Sequence, residues 1–120
     1  MSKINKENKA LREFIIEAIQ DIKGEELVTL DLRALDDTVT DYYMVCHGTS
    51  NTQVNAIADS VFKKVKDELG ILPKAQEGKI AANWVILDYF DVVVHVFYKE
   101  AREYYQLEDL WSDAVRKEHK

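Results

Sequence analysis

Cysteine is nearly absent from this 120-residue chain: Cys46 stands alone, so no intramolecular disulfide can form and a reducing compartment is expected. Long apolar runs are also missing. Nothing approaches the ~18 residues needed to span a bilayer. The first ten residues are polar and charged, without the apolar core of a secretory signal. Together these absences predict a cytoplasmic protein that neither enters nor crosses a membrane. Basic stripes are scarce as well, and the formal net charge is -6. Direct capture of nucleic acid normally shows such a stripe, because phosphate contacts dominate that affinity. Lys63, Lys64 and Lys66 come nearest, but Asp67 and Glu68 follow them on a predicted helix, as on an ordinary solvated face. There is no repeat, low-complexity stretch or interdomain linker.

What is present is the balance of a globular domain, 47% hydrophobic and 32% charged residues. A chain of this length buries roughly two-thirds of its unfolded surface, so it needs no metal or disulfide staple. Its acidic balance favours a basic protein partner, through faster encounter and better register.

Residues 5–23 carry Leu11, Phe14, Ile15, Ala18, Ile19 and Ile22 at spacings of three and four, one stripe on one helix face. Gly24 is a natural stop. Residues 27–32 and 42–46 read as strands, with a polar, acidic loop between them. Ser50 and Gln53 fit a capping box for the next helix, which runs through Val54, Ile57, Ala58, Val61, Val65 and Leu69 to Gly70. Pro73 prevents it from resuming. This strand–turn–helix unit implies a crossover and some parallel pairing. Residues 84–87 and 92–98 form a predicted hairpin around Asp88-Tyr89-Phe90-Asp91, with Phe90 an odd turn residue. Residues 92–96 are apolar nearly throughout, as in a central strand. A short helix over 100–105 and a turn near 107–111 complete the order. The expected fold is one α/β domain over residues 1–114, a mixed sheet flanked by helices, followed by a charged, frayed tail over 115–120.

Three constellations could carry chemistry. Gly48-Thr49-Ser50 at a helix start could hold an anion, or open a nucleotidyltransferase site. That chemistry needs paired carboxylates for divalent metal, usually Asp-x-Asp roughly ten residues on. Asp59 lies at that distance, but Ser60-Val61 follow it, and Asp88 and Asp91 straddle a turn. A capped helix explains the segment without catalysis. Cys46, His47 and His95 suggest zinc or a Cys–His nucleophile, yet adjacent strand residues point to opposite faces. Cys46 reads as a small buried hydrophobe and His95 as a hydrogen-bonded core histidine. Finally, aromatics crowd the last third, and acids rim the turn that carries Tyr89 and Phe90, the pattern of a protein-binding surface.

Read together, these segments resemble one family. They are Asp41-Tyr42-Tyr43-Met44-Val45-Cys46-His47-Gly48-Thr49-Ser50 with Gln53 and Ala56-Ile57-Ala58-Asp59, and then Glu77-Gly78. Trp84-Val85-Ile86-Leu87-Asp88-Tyr89, Asp91-Val92-Val93-Val94-His95-Val96-Phe97 and the ending Arg102, Tyr105, Leu107-Glu108, Leu110-Trp111 and Asp113-Ala114 complete them. The order and spacing resemble the Iojap-like ribosomal silencing factors over about residues 11–114. The resemblance implies a nucleotidyltransferase-like α/β fold without catalytic carboxylates. It implies no enzymatic activity and no cofactor, and a homodimer when free. The implied partner is the large ribosomal subunit, engaged at its intersubunit face through its fourteenth protein (uL14 type). Occlusion there would block joining with the small subunit and repress translation. Carried over by position, the implied contacts are Trp84, Asp88, Tyr89 and Asp91; Phe90 departs from the family's usual turn glycine. The competing readings are a metal-dependent nucleotidyltransferase and a scaffold acting only as a homodimer.

Overall fold

The computed structural model describes residues 2–36 and 38–119, with side chains described from Asn8 onward. Its elements run α1 (Ser2–Asp21), β1 (Glu25–Asp31), β2 (Tyr42–Gly48), α2 (Asn51–Leu69), β3 (Ala75–Glu77), β4 (Trp84–Asp88), β5 (Val92–Tyr98), α3 (Lys99–Tyr105), α4 (Leu107–Leu110) and β6 (Val115–Glu118). The six strands form one sheet in the order β3-β4-β5-β2-β1-β6. Only the β2–β5 pair is parallel; its neighbours run antiparallel. The expected mixed α/β sheet is therefore present, with β5 at its centre.

The stripe on α1 packs Leu11, Ile15, Ala18 and Ile19 against Val54, Ile57, Ala58, Val61 and Val65 of α2. Both helices cover the same sheet face, over Met44, Cys46, Val85, Leu87, Val94 and Val96. Each fully buried aliphatic side chain contributes roughly 1.5–3 kcal/mol. The start of α2 is capped in a shifted version of the expected box. Ser50 Oγ accepts from Gln53 N at 3.0 Å, while Gln53 Oε1 accepts from Thr49 N at 2.8 Å, one residue earlier than the motif requires. At the other end Gly70 adopts φ 67° and donates to Lys66 O.

Two strands lie outside the sequence expectation. One is the short edge strand β3. The other corrects the frayed tail: Val115–Glu118 pairs with Val28–Asp31 as β6. His119 holds it in place, its N–H donating to Leu27 O at 2.9 Å and its Nε2 lying 2.7 Å from Thr29 Oγ1. Backbone hydrogen bonding to an otherwise open β1 edge outweighs the solvation of four exposed side chains. Lys120, the last residue of the expected tail, lies outside the described residues.

Candidate partner-binding face

The side of the sheet away from α1 and α2 is only partly covered, by α3, α4 and the segment that follows. Strand alternation decides which residues reach it. On β4, Trp84, Ile86 and Asp88 are half-buried, whereas Val85 and Leu87 are fully buried under the helices. Pairing lines these residues into rows across the sheet: Asp88 beside Val93 beside Tyr43, Ile86 beside His95 beside Val45, and Trp84 beside Phe97 beside His47. Trp84 stacks on Phe97 at 4.8 Å and leans on Tyr105 at 5.0 Å, and Tyr43 meets the edges of His95 at 4.6 Å and Trp111 at 5.6 Å.

This alternation separates the four expected contact residues. Trp84 and Asp88 share the open face, and Asp91 is exposed at the turn beyond it. Tyr89 does not join them. It is 6% exposed and continues the buried series of Val85 and Leu87 into the helix-side core. Its hydroxyl has no hydrogen-bond partner among the described residues, and burial pushes its pKa up to about 12. The expectation that Tyr89 offers contact area is thus corrected by register.

The indole of Trp84 donates from Nε1 to His95 Nδ1 at 3.0 Å. An indole can only donate, so the neutral imidazole carries its proton on Nε2. Burial, opposed by the Asp88 charge, pushes the His95 pKa down to about 4, so the ring is uncharged at neutral pH. Nε2 has no partner among the described residues.

The turn at the end of β4 is built from short local bonds. Asp88 Oδ1 accepts from Phe90 N at 2.8 Å, and Asp91 N donates to Tyr89 O at 3.0 Å. Asp91 O in turn accepts from Asp41 N and Tyr42 N, both at 3.0 Å, tying the turn to the start of β2. Phe90 sits at φ 73° and is 65% exposed.

At the opposite end of the sheet lies a polar cluster that spacing alone does not reveal. Arg102 on α3 donates to both carboxylate oxygens of Glu108, at 2.9 and 3.0 Å, and Arg116 on β6 adds a third bond at 2.8 Å. Arg102 Nη1 also lies 2.9 Å from His47 Nδ1, and Glu25 and Glu26 approach the other ring nitrogen at 3.6 and 3.7 Å. Burial and Arg102 hold the His47 pKa below its ordinary value, against the pull of the two glutamates. A sequence signal did exist for half of this: His47 lies on the same strand parity as Tyr43.

The other candidates are placed apart. Cys46 faces the helix-side core, where burial pushes its thiol up to about 12, while His47 faces the opposite way. Asp59 sits on α2 and pairs with Lys79, not with a second strand carboxylate. Among the described residues, no cluster of His, Cys, Asp or Glu is arranged to hold a metal ion, and no helix is long and apolar enough to cross a membrane.

The geometry defines a class, an α/β domain with one helix-sealed sheet face and one aromatic, acid-edged face. Comparison with known proteins narrows it. The family described as "Ribosomal silencing factor during starvation" matches residues 5–120. The chain is similar to the ribosomal silencing factor of Halalkalibacterium halodurans, 45% identical over 107 residues, covering 89% of this chain and 90% of that protein. It is also similar to that of Bacillus subtilis, 44% identical over 106 residues, covering 88% of each. Among solved structures, a Chromobacterium violaceum protein superposes with a TM-score of 0.82 at 38% identity, covering 87% of this chain and 85% of that one. The chain belongs to the ribosomal silencing factor family.

Proposed function

We propose that this protein acts in the cytoplasm by occlusion, docking on the intersubunit face of the large ribosomal subunit through its fourteenth protein (uL14 type). It covers a patch that the small subunit must approach, so its affinity competes directly with subunit joining. No bond is made or broken. The observation that carries this reading is the edge of the open face. Trp84, Ile86 and Asp88 stand in line on β4, half-exposed, and Asp91 follows at the turn. Family membership and the net charge of -6 support a basic ribosomal partner. Trp84 supplies rigid apolar area, while Asp88 and Asp91 meet lysine or arginine. The free protein forms a homodimer, as the family resemblance implies; a monomeric mass by light scattering would remove that part.

The test is binding of a variant carrying Asp88→Asn and Asp91→Asn to purified large subunits, at two salt concentrations. An asparagine at 88 keeps an oxygen for the Phe90 N–H, so the fold is expected to stay within about half a kcal/mol of the parent. Carboxylates desolvated against lysine or arginine should cost roughly 2–5 kcal/mol of binding; rim-exposed ones should show mainly in association rate and salt dependence. Co-sedimentation of the parent with large but not small subunits is the prior requirement. Unchanged binding of the variant at both salts would move the contact site elsewhere.

A further inference from the structure

Five described non-glycine residues have positive φ, and in four of them the side chain or its place in the fold is ordinary for that conformation. Lys23 and Gln106 end helices, where the left-handed conformation is usual. Glu26 sits at the register shift of β1, and Ala82 is 2% exposed and packed into the core. At Phe90 the tight hairpin turn, closed by the Tyr89 N to Val92 O bond at 2.8 Å, calls for positive φ but not for a phenyl group. The Phe90 φ of 73° and the Asp91 N to Tyr89 O bond make a three-residue γ-turn of the left-handed sense, rare and strained for any side chain. The residue is 65% exposed, so core packing does not offset the strain. Glycine would adopt this backbone freely. The free domain therefore gains little from a phenyl group here.

One further contact shows what the ring can receive. The Lys74 ammonium lies 4.5 Å from the Phe90 ring centroid, over the electron-rich face. Carboxylates precede and follow the turn at Asp88 and Asp91, and Asp88 Oδ1 is held on the Phe90 N–H. An aromatic face between two acids is a receptor for a cation on a long side chain. We infer that Phe90 is a partner-contacting residue whose ring receives an arginine or lysine of the ribosomal protein, the strain of the turn being retained for that contact. This rests on the docking reading above and assigns a specific contact within it. Lys74 occupies one ring face in the free protein and exchanges with, or lies opposite, the partner's cation.

The experiment compares the parent with Phe90→Gly, Phe90→Asn and Phe90→Leu, reading melting temperature and affinity for purified large subunits, for the isolated ribosomal protein and for naked large-subunit RNA. Glycine and asparagine both tolerate positive φ. They should raise the melting temperature by a few degrees while weakening binding about tenfold. Leucine keeps the apolar bulk but has no ring face, so it should weaken binding without the thermal gain. Opposite signs for stability and affinity are what a purely structural role would not give. Melting temperatures that stay level or fall in Phe90→Gly and Phe90→Asn overturn the inference. So does parental affinity in any of the three variants. Weakening seen on naked RNA but not on the isolated protein also overturns it, since a stacked base would then replace the cation. If the parent itself fails to bind large subunits, the docking reading fails. If the parent binds and the Phe90 variants match it, only this inference fails.

Discussion

The two faces of the sheet solve burial in different ways. Under α1 and α2 the contacts are almost all aliphatic, and Ile15, Ile19, Ile57, Val61, Leu87 and Val94 are fully buried there. That face is specified by volume: interiors are packed to crystal-like density and tolerate few voids. The open face has polar groups among its aromatics, the buried His47 and His95 and the half-buried Arg102–Glu108 pair. It is specified largely by pairing, Trp84 Nε1 with His95 Nδ1 and Arg102 with Glu108 and His47, His95 Nε2 being the exception. A face held by shape can only be sealed. A face held by directed bonds can leave part of its surface open and keep its side chains in place.

Truncation on the sealed face tests this contrast most severely. Ile57→Ala removes a fully buried side chain between two helices and should cost about 2–5 kcal/mol in urea unfolding, with binding to large subunits unchanged once the protein is folded. A loss below 1 kcal/mol would mean that the helices collapse onto the gap, contrary to tight packing.

Acid tests the open face. The folded His95 has a pKa of about 4, below its ordinary 6.5. As pH falls, the unfolded chain therefore takes the proton first. The stability held by the neutral ring is full above pH 6.5 and is lost as pH drops toward about 4, on the order of 3 kcal/mol in total. Urea midpoints measured between neutral pH and pH 4.5 should fall steeply in the parent and less in His95→Gln. Parallel slopes would show that the ring does not stay neutral in the folded state.

Glu108→Gln is the mildest probe. It places an amide N–H against the guanidinium donors of Arg102 and Arg116 and should cost about 1–3 kcal/mol. Burial raises the Glu108 pKa, but the bonds and charges of Arg102 and Arg116 outweigh it and hold the carboxyl below its ordinary value. Its contribution is therefore present above pH 4.5 and lost in stronger acid, and the glutamine variant should lack that last part of the acid transition. Equal stability of the two proteins across acid would show the pair to be dispensable.

The sealed face can be read from the residues themselves. Apolar spacings on α1 and α2, Ser50 before the helix and Gly70 after it, and the valine run of β5 each act locally. The open face could be read only in part. Trp84 and Asp88 share strand parity, and so do Tyr43 and His47, but the rows they join depend on which strands become neighbours. Tyr89 looked exposed because its turn is acidic, yet parity placed it inside. β3 and β6 have four or fewer residues, all exposed, so no hydrophobic period marks them. The Arg102–Glu108–Arg116 cluster depends on α4 turning back toward the sheet, and residue spacing does not encode that.

The parallel β2–β5 pair has a kinetic consequence. Tyr42 meets Val92, and between them the chain makes all of α2, β3 and β4. Ordering that intervening segment carries the entropy of closing a long loop before the central pairing gains anything. The hairpin of β4 and β5 and the β1–β2 pair can form early from near neighbours, but joining the two halves of the sheet is a separate, later event. Until it happens, the apolar edges of β2 and β5 are both open. On the translating ribosome, this pairing cannot begin until β5 has left the exit tunnel, so a nascent chain remains two unjoined halves until then.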